Sequence, residues 1–228
     1  MGSLDEYIAE LRRTIIINNV PSLCLDIDDT IAGTNLFWAE KHIEMFGSNE
    51  SLTSAEIVRK YGLVKNVPYW NFKESENWIL NQLYKVGLTQ ETKPIIDSLQ
   101  ELERIQEKIS LSFYLTTRPI STAPQTRNWL TANSFPDIDI ISVPENIILE
   151  LFGFENSMHW KAKVLESFYP EVQGIIEDNH ELLDYLSPNY AGKVYLLSNT
   201  ANLDQKLSGV KISQNWSGIR REILATDF

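Results

Sequence analysis

The stretch LCLDIDDTI, Leu23 to Ile31, sets three aspartates within four residues directly after an apolar run. Carboxylates so close repel one another, and one at the end of a buried strand is costly to desolvate. A D-x-D in isolation is usually a turn or a helix cap. A calcium loop counted from Asp26 fails, because its glycine would fall at Ile31 and its bidentate glutamate at Phe37. The crowding therefore calls for compensating groups elsewhere in the chain.

Apolar runs that read as buried strands follow one another: 22–26 (SLCLD), 110–116 (SLSFYLT), 138–142 (IDIIS), 174–178 (GIIED) and 193–198 (KVYLLS). Helical spacing marks 4–13, 94–108, 123–133, 159–168 and 180–186. Residues 14–20 (TIIINNV) fit either a strand or the end of the first helix. Strands alternating with helices predict an α/β fold, a Rossmann-like core whose central parallel sheet is covered on both faces. Residues 33–93 interrupt the alternation with helical patterns at 36–46, 54–62 and 75–87. A segment of about sixty residues is too long and too patterned for a loop, so it is expected to be an inserted helical subdomain. The division is then 1–32 with 94–228 as core and 33–93 as cap.

On that frame the polar residues collect at one edge. Asp26 ends the first strand with Asp28 two residues beyond, Thr116 ends the second, and Glu177 and Asp178 end the fourth. The carboxyl ends of parallel strands form the crevice where ligands bind. Asp26 and Asp178 side by side would be a poor arrangement without a cation, and a hard oxygen set of this kind suits Mg²⁺. A receiver domain also clusters acids at strand ends, but it carries its phosphoacceptor on a later strand and has no such insert.

Composition sets outer limits. The 228 residues carry a formal charge of −11, from 20 Lys and Arg against 31 Asp and Glu, which argues against a nucleic-acid polymer or an anionic membrane as partner. With 43% hydrophobic and 22% charged residues the chain reads as globular. Its lone cysteine, Cys24, lies in an apolar run and reads as a buried, inert thiol. No apolar stretch reaches the roughly 20 residues of a membrane span. The amphipathic, acidic start has no secretion h-region, so the expected setting is cytoplasmic.

These residues, in this order, resemble the haloacid dehalogenase (HAD) superfamily of phosphohydrolases. D26-I-D28-D29-T30 is similar to its first motif, FYLT116 to its second, Lys161 in HWKAKVL to its third and E177-D178 to its fourth, together spanning 22–198. The insert falls where that superfamily places its C1 cap. The helix, strand, T-x-R-P turn and T-x-x-W-L helix of 94–133 further resemble the nucleotidase branch, the 5′(3′)-deoxyribonucleotidase-like proteins.

The resemblance implies Asp26 as nucleophile forming an aspartyl-phosphate, and Asp28 as general acid and base. It implies Thr116 and Lys161 as phosphate ligands, and Asp26, Asp28, Asp178 and Glu177 around Mg²⁺, Glu177 through a bound water or a backbone N–H. Lys163 is the rival for the lysine role. Thr30 is expected to fix the loop. Thr117, Arg118, Phe37 and Trp38 are the candidate substrate contacts. Arg118 could equally be a surface ion pair, and Phe37 and Trp38 read first as packing residues of the cap; Trp70, Trp78 and Trp160 read as core or cap packing. Asn199 and Thr200 would be peripheral. The implied activity is a Mg²⁺-dependent phosphomonoester hydrolase acting on a small phosphorylated metabolite, a nucleoside monophosphate being the first guess. The rivals are a phosphatase for another small phosphate, a phosphotransferase of the same fold, and a binding module without turnover.

Overall fold

A computed structural model describes residues 4–17, 20–145, 154–198 and 208–228. Its centre is a parallel sheet of six strands: β1 (Ser22–Leu25), β2 (Ser110–Pro119), β3 (Asp139–Val143), β4 (Val172–Glu177), β5 (Lys193–Leu197) and β6 (Val210–Ser213). The spatial order is β3-β2-β1-β4-β5-β6, every neighbouring pair parallel. The chain builds outward from β1 to β3, then returns to the other side of β1 for β4. That reversal between β1 and β4 is the switch point at which open sheets of this kind bind ligands.

The strands are apolar throughout because both faces are covered. Leu23 and Leu25 point to one face with Tyr114, Ile176 and Tyr195, while Cys24 points to the other with Phe113, Ile175 and Val194. The Cys24 face is covered by α7 (Phe154–Ser167), through Trp160, Val164 and Leu165, with α1 (Leu4–Thr14) packed alongside. The opposite face is covered by α5 (Ser98–Gln106), α6 (Ala123–Ala132) and α9 (Trp216–Leu224), which bury Leu102, Trp129, Trp216 and Ile219. Cys24 is fully enclosed, and burial pushes its thiol pKa up, as expected of an inert side chain.

Between β1 and α5 stand α2 (Thr34–Phe46), α3 (Ser54–Tyr61) and α4 (Lys73–Asn81), with short 3-10 turns at 64–66 and 68–70 and a wide π turn at 82–86. The α3 start is a capping box: Glu56 N–H donates to the Thr53 hydroxyl at 3.3 Å, and Thr53 N–H donates to the Glu56 carboxylate at 2.9 Å. These helices have a small core of their own, Ala39, Ile57, Val64, Val67 and Trp70, with Trp38 and Ile79 packed against it. His42 is fully buried beside it, ringed by Phe46, Trp70 and Trp78. Its Nδ1 lies 2.8 Å from the Trp38 carbonyl and its Nε2 lies 2.9 Å from the Ser75 hydroxyl. A carbonyl only accepts, so Nδ1 carries the proton and Nε2 accepts from Ser75. Burial lowers the His42 pKa despite the Trp38 bond, which keeps the ring neutral.

The chain leaves and rejoins the core at one place. Gly33 N–H donates to the Lys93 carbonyl at 2.9 Å and Ile95 N–H to the Ile31 carbonyl at 2.8 Å. A Cβ on Gly33 would lie 3.3 Å from the Lys93 oxygen, so glycine permits this close approach.

Several elements differ from the sequence reading. The helix expected over 94–108 begins only at Ser98, because Pro94 and Ile95 are held by the crossing with 31–33. The helix expected from 159 starts at Phe154, and that expected over 180–186 shrinks to Leu182–Tyr185, α8. Strand β2 continues through Pro119, three residues beyond its expected end. Thr14 closes α1 and residues 15–17 are irregular; the rest of the ambiguous stretch includes 18 and 19, outside the described residues. Strand β6 and helix α9 were not anticipated.

Candidate active site

At the switch point the ends of β1 and β4 meet. Asp26 follows β1 directly, its N–H donating to the Ile176 carbonyl of β4 at 3.0 Å, so it stands beside Glu177 and Asp178. Oxygens of Asp26, Glu177 and Asp178 all lie within 4.8 Å of one another. Asp26 and Glu177 are buried and Asp178 is half-buried.

Lys161, on α7, reaches this cluster from the Cys24 face of the sheet. Its ammonium is 1% exposed, bonds the Asp26 Oδ1 and lies 2.6 Å from the Glu177 carboxylate. Lys163 points elsewhere: it is 43% exposed and pairs with Glu166 at 3.3 Å. Of the two candidate lysines, the helix turn therefore aims Lys161 inward.

Three carboxylates around one ammonium leave a surplus of negative charge, and the ionisation behaviour reflects it. Desolvation and the adjacent Glu177 raise Asp26 to about 8, outweighing the pull of Lys161. Asp178 is likewise raised well above the ordinary range, by desolvation and then by Glu177, Asp29 and Asp26. Burial lowers the Lys161 pKa, but Asp26 and Glu177 outweigh it and raise the pKa overall. Such a donor set could hold a divalent cation. Asp26 and Asp178 are the better placed to hold one, since Glu177 is already engaged: one oxygen accepts from Asn179 N–H at 3.1 Å and the other faces Lys161.

Asp28 lies beyond the cluster and is held by a separate network. Arg118 Nε donates to its Oδ2 at 2.8 Å, Arg118 Nη2 to its Oδ1 at 2.6 Å, and the Thr34 hydroxyl to Oδ1 at 2.6 Å. Arg118, expected either at the substrate or in a surface ion pair, is paired with an aspartate and only 2% exposed, so its end of the pair is buried. Its N–H donates to the Thr116 hydroxyl oxygen at 3.2 Å, which leaves the Thr116 O–H as a donor at the end of the apolar run of β2. Thr117 is half-buried beside it.

The loop itself is tied down by its own residues, Asp29 and Thr30. Asp29 sits at φ 54°, a turn conformation that aspartate tolerates, and its N–H donates to the Ala32 carbonyl at 2.7 Å. Its carboxylate caps the start of α2, accepting from Asn35 N–H at 2.9 Å and from the Asn35 side-chain amide. Desolvation nevertheless raises Asp29 to about 7, against the lowering by these bonds. Thr30, expected to fix the loop, is buried with its hydroxyl 3.4 Å from Asp178 Oδ1, and its carbonyl accepts from Trp216 Nε1 at 2.9 Å. Nothing local marked Trp216.

Phe37 is 7% exposed, with Lys41 Nζ 5.9 Å from its ring centre, and Trp38 is half-buried against the insert's own core. Trp70 and Trp160 are packing residues, as expected, and Trp78 stands against His42. Asn199 and Thr200 lie outside the described residues.

No protein-family description and no curated protein matches this sequence. Among solved structures, the chain is similar to a HAD-superfamily hydrolase from Ehrlichia chaffeensis, at 12% identity over 90% of this chain and 97% of that one, with a TM-score of 0.51. It also matches the HAD-hydrolase YfnB from Bacillus subtilis bound to magnesium, at 14% identity over 90% and 99%, with a TM-score of 0.48. The α/β fold of this protein is that of HAD-superfamily hydrolases. Among the described residues no helix is long and apolar enough to cross a membrane.

Proposed function

We propose that this protein is a Mg²⁺-dependent phosphomonoester hydrolase, working through an aspartyl-phosphate on Asp26. The observation that carries the reading is the convergence of Asp26, Glu177, Asp178 and the buried Lys161 at the switch point of the sheet, with Thr116 on the adjacent strand β2. A bound Mg²⁺ would offset the repulsion between the carboxylates and the incoming phosphate, with Asp26 and Asp178 as its protein ligands.

In this reading an oxygen of Asp26 attacks phosphorus in line, and the bond from phosphorus to the ester oxygen breaks. Protonated Asp28 gives its proton to the departing oxygen, so the product leaves as an alcohol. Asp28, now a carboxylate, then takes a proton from the water that attacks the aspartyl-phosphate, releasing inorganic phosphate and restoring Asp26. Lys161 and the Thr116 hydroxyl hold the phosphoryl oxygens as charge shifts toward the leaving group. Residues 33–93 act as the cap over this edge, crossing back to the core at Gly33 and Lys93.

The substrate is a small phosphorylated metabolite. Nucleoside monophosphates come first, on the resemblance of 94–133 to the nucleotidase branch, with Trp38 at the start of the cap as the ring able to stack on a base. The test is phosphate release from a panel of nucleoside, sugar and cofactor monophosphates with Mg²⁺ and with a chelator. Release that depends on Mg²⁺ and favours nucleotides is expected. Turnover indifferent to chelation would remove the cation, and preference for non-nucleotides would replace the substrate class.

A further inference from the structure

The loop from Asp26 to Ala32 is closed largely by its own backbone. The Ile27 carbonyl accepts from Ile31 N–H at 3.0 Å and from Ala32 N–H at 2.9 Å. The Ala32 carbonyl accepts from Asp29 N–H at 2.7 Å, and the Ile31 carbonyl from Ile95 N–H at 2.8 Å. The Thr30 carbonyl is served differently: its donor is Trp216 Nε1, 2.9 Å away and 186 positions later in the chain. Thr30 is fully enclosed and Trp216 is 2% exposed, so bulk water does not reach this bond and the carbonyl depends on the indole.

Trp216 is held from behind. It opens α9, whose start is capped by Asn215 Oδ1 accepting from Gly218 N–H at 2.9 Å. Farther along, Arg220 Nε donates to Glu101 of α5, and Lys108 Nζ donates to the Leu224 and Thr226 carbonyls at 2.6 and 2.7 Å. Ile219 and Ile223 are fully buried on the same helix. The helix is a mount fixed to α5, and the indole extends that mount to the loop.

On its other side Thr30 meets the carboxylate cluster. Its hydroxyl donates to Asp178 Oδ1 at 3.4 Å, the one hydrogen bond to that carboxylate among the described residues. The other two acids have stronger holds: Asp26 bonds the Lys161 ammonium, and Glu177 accepts from Asn179 N–H at 3.1 Å while facing Lys161. Of the three, Asp178 is the one whose place depends on Thr30.

We propose that Trp216 is a positioning residue for the metal-binding carboxylates: its indole N–H fixes Thr30, and Thr30 sets Asp178 beside Asp26. The inference rests on the reading of Asp26 and Asp178 as the ligands of Mg²⁺, and it adds the group that steadies the less constrained of the two. In other metal sites, removing a partner that orients a ligand from outside costs about 10- to 100-fold in affinity.

The test is binding of Mg²⁺ alone to the intact chain stripped of metal, followed by calorimetry. Trp216→Phe keeps a buried ring and removes the N–H. It should weaken Mg²⁺ binding by about tenfold, and raise by the same factor the Mg²⁺ concentration that half-saturates phosphate release. Without metal, exchange of the Ile31 and Ala32 amides should quicken in this variant. Ile223→Val loosens the same helix without touching the indole, and should leave Mg²⁺ affinity within about threefold of the parent. Thr30→Val, which loses the hydroxyl and keeps the carbonyl, should weaken binding about tenfold, and Thr30→Ser less. Because the two residues act along one path, Trp216→Phe with Thr30→Val should bind Mg²⁺ no worse than the weaker single variant.

Unchanged Mg²⁺ affinity in a Trp216→Phe that only melts lower would make the indole a packing residue and overturn the inference. So would an equal loss in Ile223→Val, or losses that add in the double variant. Should Trp216→Phe fail to fold, replacing the indole by benzothiophene keeps the double ring and removes only the N–H, and the same comparison decides the matter. A parent that binds no Mg²⁺ overturns the metal reading and this inference with it; a parent and a Trp216→Phe that bind it equally overturn the inference alone.

Discussion

Two regions of this protein bury polar groups in opposite ways. At the sheet edge, Asp26, Glu177 and Asp178 share a single ammonium, and desolvation together with the neighbouring Glu177 lifts Asp26 to about 8. In the insert, His42 is just as enclosed but fully satisfied, its two nitrogens spent on Trp38 and Ser75 within a ring of aromatics. The first arrangement is costly until a ligand arrives; the second is complete as it stands. A site that acts on an anion through a cation must leave charge unbalanced, whereas a packing core cannot.

The sharpest way to break this comparison is Asp26→Asn. It should lower phosphatase turnover by at least about 10³-fold, as loss of a nucleophile does in other covalent enzymes. The metal-free variant should melt no lower than the parent above pH 8, because it removes a carboxylate that desolvation and Glu177 make costly to ionise. Wild-type turnover in that variant would remove Asp26 from the chemistry.

The insert should respond the other way. Trp70 is 3% exposed, packs beside His42, and donates through Nε1 to the Gly47 carbonyl at 2.9 Å. Trp70→Ala should cost about 3–5 kcal/mol of local stability, measured by hydrogen exchange of α2 to α4. Its binding of Mg²⁺, followed by calorimetry, should stay within about threefold of the parent, since the carboxylates belong to the sheet. Loss of both together would mean that the two regions are one cooperative unit.

The smallest effect is the pH response of the metal-free protein. Asp26 and Asp29 have folded pKa values raised to about 8 and about 7, above the ordinary 3.8, so the folded state binds protons more tightly than the unfolded one. Their contribution is full below about pH 4 and is lost as pH rises through 7 and 8, so Tm should fall across that interval. Mg²⁺ should restore it, by an amount that grows with pH as binding displaces protons, on the order of 1–3 kcal/mol. A Tm that rises with pH in the absence of metal would show that the acids are not crowded as described.

Much of the sheet edge was legible in the sequence because its signals are local. An apolar run followed by an acid marks a strand end, and Asp26, Glu177 and Asp178 carry that mark; Thr116 also follows such a run, but β2 continues three residues past it, through Pro119. Lys161 was separable from Lys163 only by its neighbours in the sequence, until the helix turn showed which ammonium lies 1% exposed against Asp26. For Arg118 the sequence left two readings open. Its position after β2 fits a substrate contact or an ion pair equally, and the choice depends on where the loop after β1 sends Asp28, ninety residues away. The same holds for Trp216, whose indole supports the Thr30 carbonyl across 186 positions, and for β6, which at four residues is too short for alternation to stand out.

By itself the sequence determined the alternation of strand and helix, the place of the insert and the set of residues that end at one edge, since these follow from hydrophobic periodicity and from where polarity begins. Tertiary structure alone decided the pairing: which lysine meets Asp26 and which base holds Asp28. Charges pair by distance in space, and that distance is fixed by strand order and loop conformation rather than by any spacing along the chain.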